Sequence, residues 1–433
     1  MVYAWFCALI ASLGAFLFGY QTGIISGAVL FIAEDLRLTT FEQEMIVSFI
    51  LIGCAVGALC GGFLNDFLGR KKTLLTTILI FLLGTFCLSW ADHFELLLVG
   101  RLIVGLGVGI ASLTVPLYLA EIAPTHQRGM FTALNQVMIT VGILFAFWTA
   151  YAFSSDSDWR DMFRFAYIPT IIQMIGLFFM TETPAWLSKE GRNKEASHAA
   201  ERLHGSHHHG HEEKQHDHPT VRRFHLFSAS VRLPFLIGVG ISAFQQFTGI
   251  NTIVYYTPRI FQLAGYGSPQ SAIFVSVWVA IVMCIATVGG LMLVDKVGRR
   301  KLLLIGFGGM CISLLVLSLS FLFAPDSVGL VAVISVLSYV VFFAAPGIIA
   351  WVLISEIYPL GIRGRAMGVA TITNWVSNYI VSVSFLSLVK ALSIGGTYLI
   401  YTLICALAFY FVFHFVPETK GKTFDEIQQF WKK

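Results

Sequence analysis

Twelve stretches of mostly apolar residues follow one another along this chain, at roughly 3–31, 45–64, 73–91, 96–120, 130–152, 163–181, 233–262, 271–294, 302–323, 329–355, 367–389 and 397–416. A run of about twenty such residues, coiled at ~1.5 Å per residue, reaches across the ~30 Å of a bilayer's hydrocarbon. Inside hydrocarbon the backbone must bond to itself, and a helix does so within one segment. Only 12 % of the residues are charged, against roughly 25 % in soluble domains. The interval 182–232 is too rich in charge and histidine to cross. The pattern predicts an all-α membrane protein, with six spans on either side of a hydrophilic linker.

The charged turns between spans are written twice. Gly62-Phe-Leu-Asn-Asp66-Phe-Leu-Gly69-Arg70-Lys71-Lys72 recurs as Gly290-Leu-Met-Leu-Val-Asp295-Lys-Val-Gly298-Arg299-Arg300-Lys301. Glu121 with Arg128-Gly129 is repeated as Glu356 with Arg363-Gly364, and Glu182-Thr183 as Glu418-Thr419. Motifs that return in the same order mark a duplicated unit, and membrane transporters use such units to build two halves around one site. The expected layout is a six-helix bundle over 1–181, a linker over 182–232, a second, pseudo-symmetric bundle over 233–416 and a tail over 417–433.

Orientation follows from the basic residues. The segments 66–72, 121–129, 182–232, 296–301, 357–366 and 417–433 hold 22 of the 28 Lys and Arg, which predicts that both termini and the linker are cytoplasmic. The net charge of +4 has this origin, and no basic patch for nucleic acid is visible. All seven cysteines fall inside predicted spans, which argues against a disulfide framework. In each repeated turn the Gly permits a tight reversal, and the carboxylates and arginines can bridge neighbouring helices as a cytoplasmic latch.

These stretches, taken in order, resemble the sugar porters of the major facilitator superfamily. The likeness covers the whole chain and rests on Phe18-Gly19-Tyr20, the two Asp/Gly-Arg turns, Glu121-Ile-Ala-Pro124 with Arg128-Gly129, Glu182-Thr-Pro184, Phe244-Gln245-Gln246-Phe247-Thr-Gly249-Ile250-Asn251 with Tyr255-Tyr256, and Pro417-Glu418-Thr419-Lys420-Gly421. The resemblance implies transport of a monosaccharide, hexose or pentose, at a mid-membrane site exposed alternately to either side. It also implies gate roles for Asp66, Arg70, Glu121, Arg128, Glu182, Asp295, Arg299, Glu356, Arg363 and Glu418. The family's Pro-Glu-Ser-Pro-Arg turn reads Thr181-Glu182-Thr183-Pro184-Ala185 here, so the latch around Glu182 should be weaker.

A sugar offers many hydroxyls and no charge. Side-chain amides suit it because they donate and accept at once, and an aromatic face covers the apolar side of the ring. Gln245, Gln246 and Asn251 form such a polar cluster within span 7, and a break at Thr248-Gly249 would let Asn251 join it. The resemblance adds Gln136, Trp351, Asn374 and Trp375 as sugar contacts, with Phe18 and Asn378 as secondary ones.

Proton-driven relatives carry an Asp directly after Phe-Gly-Tyr, where this chain has Gln21. An amide does not titrate, and every Asp and Glu reads as lying in a loop or at a span boundary. Arg101, which resembles the family's buried span-4 arginine, then needs carbonyls, water or Gln21 as its partner. The expectation is passive transport. A proton symporter using another titrating group and a sugar sensor that does not transport are the alternatives. No nucleophile–base set converges on the spans, so an enzyme is not expected, nor is any cofactor. Nine of the twelve histidines lie between His198 and His225, a tract able to bind divalent metal weakly.

Overall fold

The computed structural model describes residues 2–204, 229–325, 328–359, 362–422 and 426–427, with the backbone alone at Thr125, Ala229, Ser230 and Asp295. The described residues form helices joined by short turns. They divide into two compact units, Met1–His216 and Asp217–Lys433.

In the first unit α1 (Val2–Gly23) and α2 (Ile25–Asp35) make one crossing. After them come α3 (Thr40–Leu68), α4 (Arg70–Ser89), α5 (Phe94–Ile122), a short 3₁₀ turn at Thr125–Gln127 and α6 (Arg128–Ala152). The sixth crossing is α7 (Trp159–Arg164) continued by α8 (Tyr167–Phe179), and the short helices α9 (Pro184–Lys189) and α10 (Asn193–His204) lead into the linker. Helix α3 starts five residues before the apolar run suggests, because Thr39 and Glu42 close a capping box. The Thr39 hydroxyl accepts from the Glu42 N–H, and the Glu42 carboxylate accepts from the Thr39 N–H at 2.7 Å. That shift carries Glu44 inside the helix.

The second unit repeats the plan with α11 (Ala229–Phe247) and α12 (Ile250–Leu263), α13 (Pro269–Val297), α14 (Arg299–Phe323), α15 (Val328–Ile357) and α16 (Arg363–Phe415). Helix α16 is 53 residues long and is broken at Ser393, whose φ of 67° is not helical, so it supplies two crossings. The chain is thus an all-α membrane protein of twelve crossings, six in each bundle. The outward faces carry large apolar side chains, with Phe63, Phe67 and Phe178 each at least 70 % exposed. In water such a surface would aggregate; against acyl chains it is at home.

Inside the first unit α3 packs along α5, while α1 lies against both α5 and α6. A Cβ on Gly142 would come within 2.1 Å of the Phe16 carbonyl oxygen, and one on Gly19 within 1.9 Å of that of Ile139. Glycine there lets the two backbones touch, as small residues do where helices meet in lipid. The contact holds α1, which bears Phe18 and Gln21, against α6, which bears Gln136.

Candidate functional site

A polar cluster of the second unit is built on the break between α11 and α12. Gly249 stands at a φ of 93°, a left-handed value that side-chain-bearing residues rarely take, and there the span divides. The interruption frees backbone groups, and Tyr339 of α15 donates its hydroxyl to the Thr248 carbonyl at 2.9 Å. Around this point four amides converge. Asn374 Nδ2 on α16 donates to Gln245 Oε1 at 2.7 Å and to the Ser242 carbonyl at 3.2 Å. Gln246 Nε2 donates to Asn374 Oδ1 at 3.1 Å, and Asn251 Nδ2 donates to Gln246 Oε1. Gln245 Nε2 reaches the carbonyls of Pro346 and Gly347 on α15, at 3.2 and 3.1 Å.

Gln245, Gln246 and Asn374 are all buried. An unbonded amide in that position would cost roughly 1–3 kcal/mol, which the network avoids. Trp351 lies one turn beyond Gly347 on α15 and is half-buried; Trp375 follows Asn374 and is buried. Asn378, one further turn along α16, is buried and accepts from the Ser382 hydroxyl at 3.0 Å. Sequence reasoning missed the carbonyls of Ser242, Pro346 and Gly347, because a main-chain acceptor leaves no mark in residue identity.

In the first unit Phe18 and Gln136 are both half-buried, and the Gln136 amide has no protein partner among the described residues. Gln21 is fully buried, and its Nε2 donates to the Thr85 hydroxyl at 3.2 Å. The Arg101 guanidinium, also fully buried, donates to the carbonyls of Gln21, Ile46 and Val47 at 2.9, 3.0 and 3.2 Å. It therefore binds the main chain of Gln21. Glu44, expected at a span boundary, is fully buried one turn inside α3, two residues from Ile46. The capping box starts the helix ahead of the apolar run, so Glu44 lies in its second turn at the end of the span.

The repeated turns have repeated geometry. Arg70 bridges Glu121 at 2.6 Å and also reaches the Asn65 carbonyl, while Arg299 bridges Glu356 at 3.0 Å and reaches the Val294 carbonyl. At each turn a positive-φ glycine starts the next helix and a carboxylate seats on its first N–H groups. Glu182 accepts from Arg70 N at 3.1 Å and from Lys71 N at 3.0 Å; Glu418 accepts from Arg299 N at 2.9 Å. A Cβ on Gly69 or Gly298 would fall 2.5 or 2.7 Å from that carboxylate. Burial raises the Glu182 carboxyl above its usual range, opposed by bonds from the Thr183, Lys71 and Arg70 N–H groups and by the Arg70 charge.

Because Glu182 is held by main-chain donors, the missing turn arginine does not leave it unpartnered. Asp66 pairs with Lys189 at 2.8 Å. Arg363 donates to the Tyr358 carbonyl. Arg128, expected in the latch, is exposed, with no ion pair among the described residues. The Asp295 side chain lies outside the described ones. So does most of the histidine tract, and among the described residues no three His, Cys, Asp or Glu gather to hold a metal ion, which leaves the weak metal site without support.

A family model described as "Sugar (and other) transporter" matches residues 7–431. The chain belongs to the sugar transporter family. It is 36 % identical to the glucose transporter GlcP of Staphylococcus epidermidis, over 97 % of this chain and 95 % of that protein. It is also 36 % identical to a D-xylose transporter of Levilactobacillus brevis and 35 % to an arabinose-proton symporter of Escherichia coli, covering 98 % of this chain in both cases and 94 % and 92 % of theirs. Among solved structures, an inward-open form of the xylose transporter XylE from E. coli superposes with a TM-score of 0.84 at 31 % identity, across 99 % of this chain and all of that one. A member of this family is a multi-pass membrane transporter of sugars and not an enzyme.

Proposed function

We propose that this transporter carries a hexose or pentose by alternating access and that it does so passively, with both termini on the cytoplasmic side. The observation that carries the substrate class is the cluster of Gln245, Gln246, Asn251 and Asn374, four neutral amides held in fixed orientation around a helix break. Rings rich in hydroxyls are read by groups of that kind, which donate and accept at once. Relatives named for glucose, xylose and arabinose support the same class. Passive transport rests on Gln21, which cannot exchange a proton and whose amide is bonded to Thr85.

One observation favours a coupled reading. Glu44 is a fully buried carboxylate on the same turns of α3 whose carbonyls hold Arg101. A buried carboxylate of this sort at the end of a span is where a proton could ride. Uptake of radiolabelled D-glucose and D-xylose into proteoliposomes, with and without an imposed proton gradient, separates the two. Passive transport predicts equilibration that ignores the gradient. Accumulation that a protonophore abolishes would sink it, and loss of that accumulation with retained equilibration in Glu44→Gln would assign the proton to Glu44.

A further inference from the structure

Where the first unit meets its linker, a cavity of about 470 Å³ opens between α10, the turn after α8 and the start of α4. That volume lies within the ~300–1,000 Å³ of small-molecule sites. The proposed transport does not use it. Lys194, His198 and Arg202 line it at successive four-residue steps along α10, and Lys71 closes it from the α4 side. Residues four apart share a helix face, so α10 turns three nitrogen-bearing side chains toward one space.

The charges of this cavity do not cancel. Arg192 forks onto Glu195 at 2.8 and 2.6 Å, so that pair is neutral. Glu182, the other acid in the lining, is already engaged by the N–H groups of Arg70, Lys71 and Thr183. Lys71 Nζ donates to the Met180 carbonyl at 2.6 Å and keeps two further donors. Arg202 rests its guanidinium over the Tyr3 ring at 4.7 Å, a contact made through its face that leaves the edge donors available. Lys194 and His198 have no hydrogen bond or ion pair among the described residues, although they stand beside these bases.

The backbone behind the cavity is packed. Trp186, Leu187, Ala196 and Ala199 form a buried apolar cluster that fixes α10 against α9, and Trp186 Nε1 donates to the Asp66 carbonyl at 3.0 Å. A cavity with donors from two sides, more Lys and Arg than acids in its lining, and its acids already hydrogen-bonded favours an anion. A carboxylate offers two acceptor oxygens, whereas a terminal phosphate offers three and carries more charge, which suits the four bases better. Met180, Leu187 and Ala199 add an apolar side for whatever carries the phosphate. We propose that this cavity binds a phosphate group, presented by a soluble phosphomonoester or by a lipid headgroup. The occupied site ties α10 to the start of α4, where Glu182 already holds the charged turn.

The test uses the purified full-length chain at constant ionic strength. Calorimetric titration with inorganic phosphate and with glycerol 3-phosphate is compared with potassium chloride, and thermal stability is measured in nanodiscs of phosphatidylcholine with and without phosphatidic acid. Saturable binding of the soluble probes alone supports a metabolite, stabilisation by phosphatidic acid alone supports a headgroup, and either supports the site. The triple variant Lys194→Gln/His198→Gln/Arg202→Gln should weaken the response by about tenfold or more, the equivalent of ~1.4 kcal/mol. All three side chains are exposed, so the variant should fold, and its melting temperature in phosphate-free buffer checks this. If it does not fold, the single reversal Lys194→Glu carries the same expectation. A wild type that responds to no probe, a response that chloride reproduces, or one that survives the substitutions overturns the proposal.

Discussion

Replacing Asn374 by alanine should weaken sugar binding, because its amide ties Gln245 and Gln246 together. Its side chain takes part in three hydrogen bonds: it donates to Gln245 Oε1 at 2.7 Å and to the Ser242 carbonyl at 3.2 Å, and it accepts from Gln246 Nε2 at 3.1 Å. Each is worth roughly 0.5–1.5 kcal/mol net, and water entering the vacated space returns part of that. The loss that reaches the ligand is the lost orientation of Gln245 and Gln246, about 1–2 kcal/mol, or a rise in Kd of roughly five- to thirtyfold. Equilibrium binding of radiolabelled D-xylose and D-glucose to purified protein measures it. Ser384→Ala is the control on the same helix, because its hydroxyl bonds only carbonyls of its own helix, and it should change Kd less than about twofold. A double-mutant cycle with Gln246→Ala should show coupling of at least ~0.5 kcal/mol, since the two amides bond directly. If Asn374→Ala folds and binds both sugars within about twofold of the wild type, the amide cluster does not organise the sugar and the reasoning fails.

Three further outcomes follow from the geometry. Glu182→Gln should melt close to the wild type while Glu182→Ala melts lower, because the amide oxygen can still accept from the Arg70 and Lys71 N–H groups and the methyl cannot. Its pH dependence has a definite sign: the carboxyl is raised when folded, so its contribution is fully present below the unfolded value and is lost as pH rises through the folded one. Wild type should therefore gain on Glu182→Gln as pH falls, read as a difference in melting temperature across a pH series. Gly298→Ala should destabilise by about 1–3 kcal/mol, since φ is 105° and the new Cβ would lie 2.7 Å from Glu418 Oε2, and thermal melting in detergent checks it. Arg70→Gln should lower the melting temperature more than Arg128→Gln, because Arg70 holds Glu121 at 2.6 Å and Arg128 is exposed without an ion pair among the described residues.

The crossings were legible because apolar length is a property of composition, and the duplication because charged turns repeat by residue type. The break at Gly249 could be read for the same reason. Two things escaped. The start of α3 depends on the reciprocal bonds of Thr39 and Glu42, so apolar length alone places it five residues late. Arg128 matches Arg363 in the repeat, yet Arg363 reaches the Tyr358 carbonyl and Arg128 makes no ion pair among the described residues. A repeated letter preserves position along the helix and does not preserve company.

The bonding of Arg101 bears on how this protein can vary. Three of its hydrogen bonds end on main-chain oxygens of Gln21, Ile46 and Val47, and every amino acid supplies such an oxygen. The identities of those three residues can drift without removing the acceptors. Lysine in place of Arg101 would bring one nitrogen where Nε, Nη1 and Nη2 now diverge toward two helices. The anchor is permissive at its receiving end and exacting at its giving end, so covariation between these positions would leave no trace of the contact that joins α1, α3 and α5.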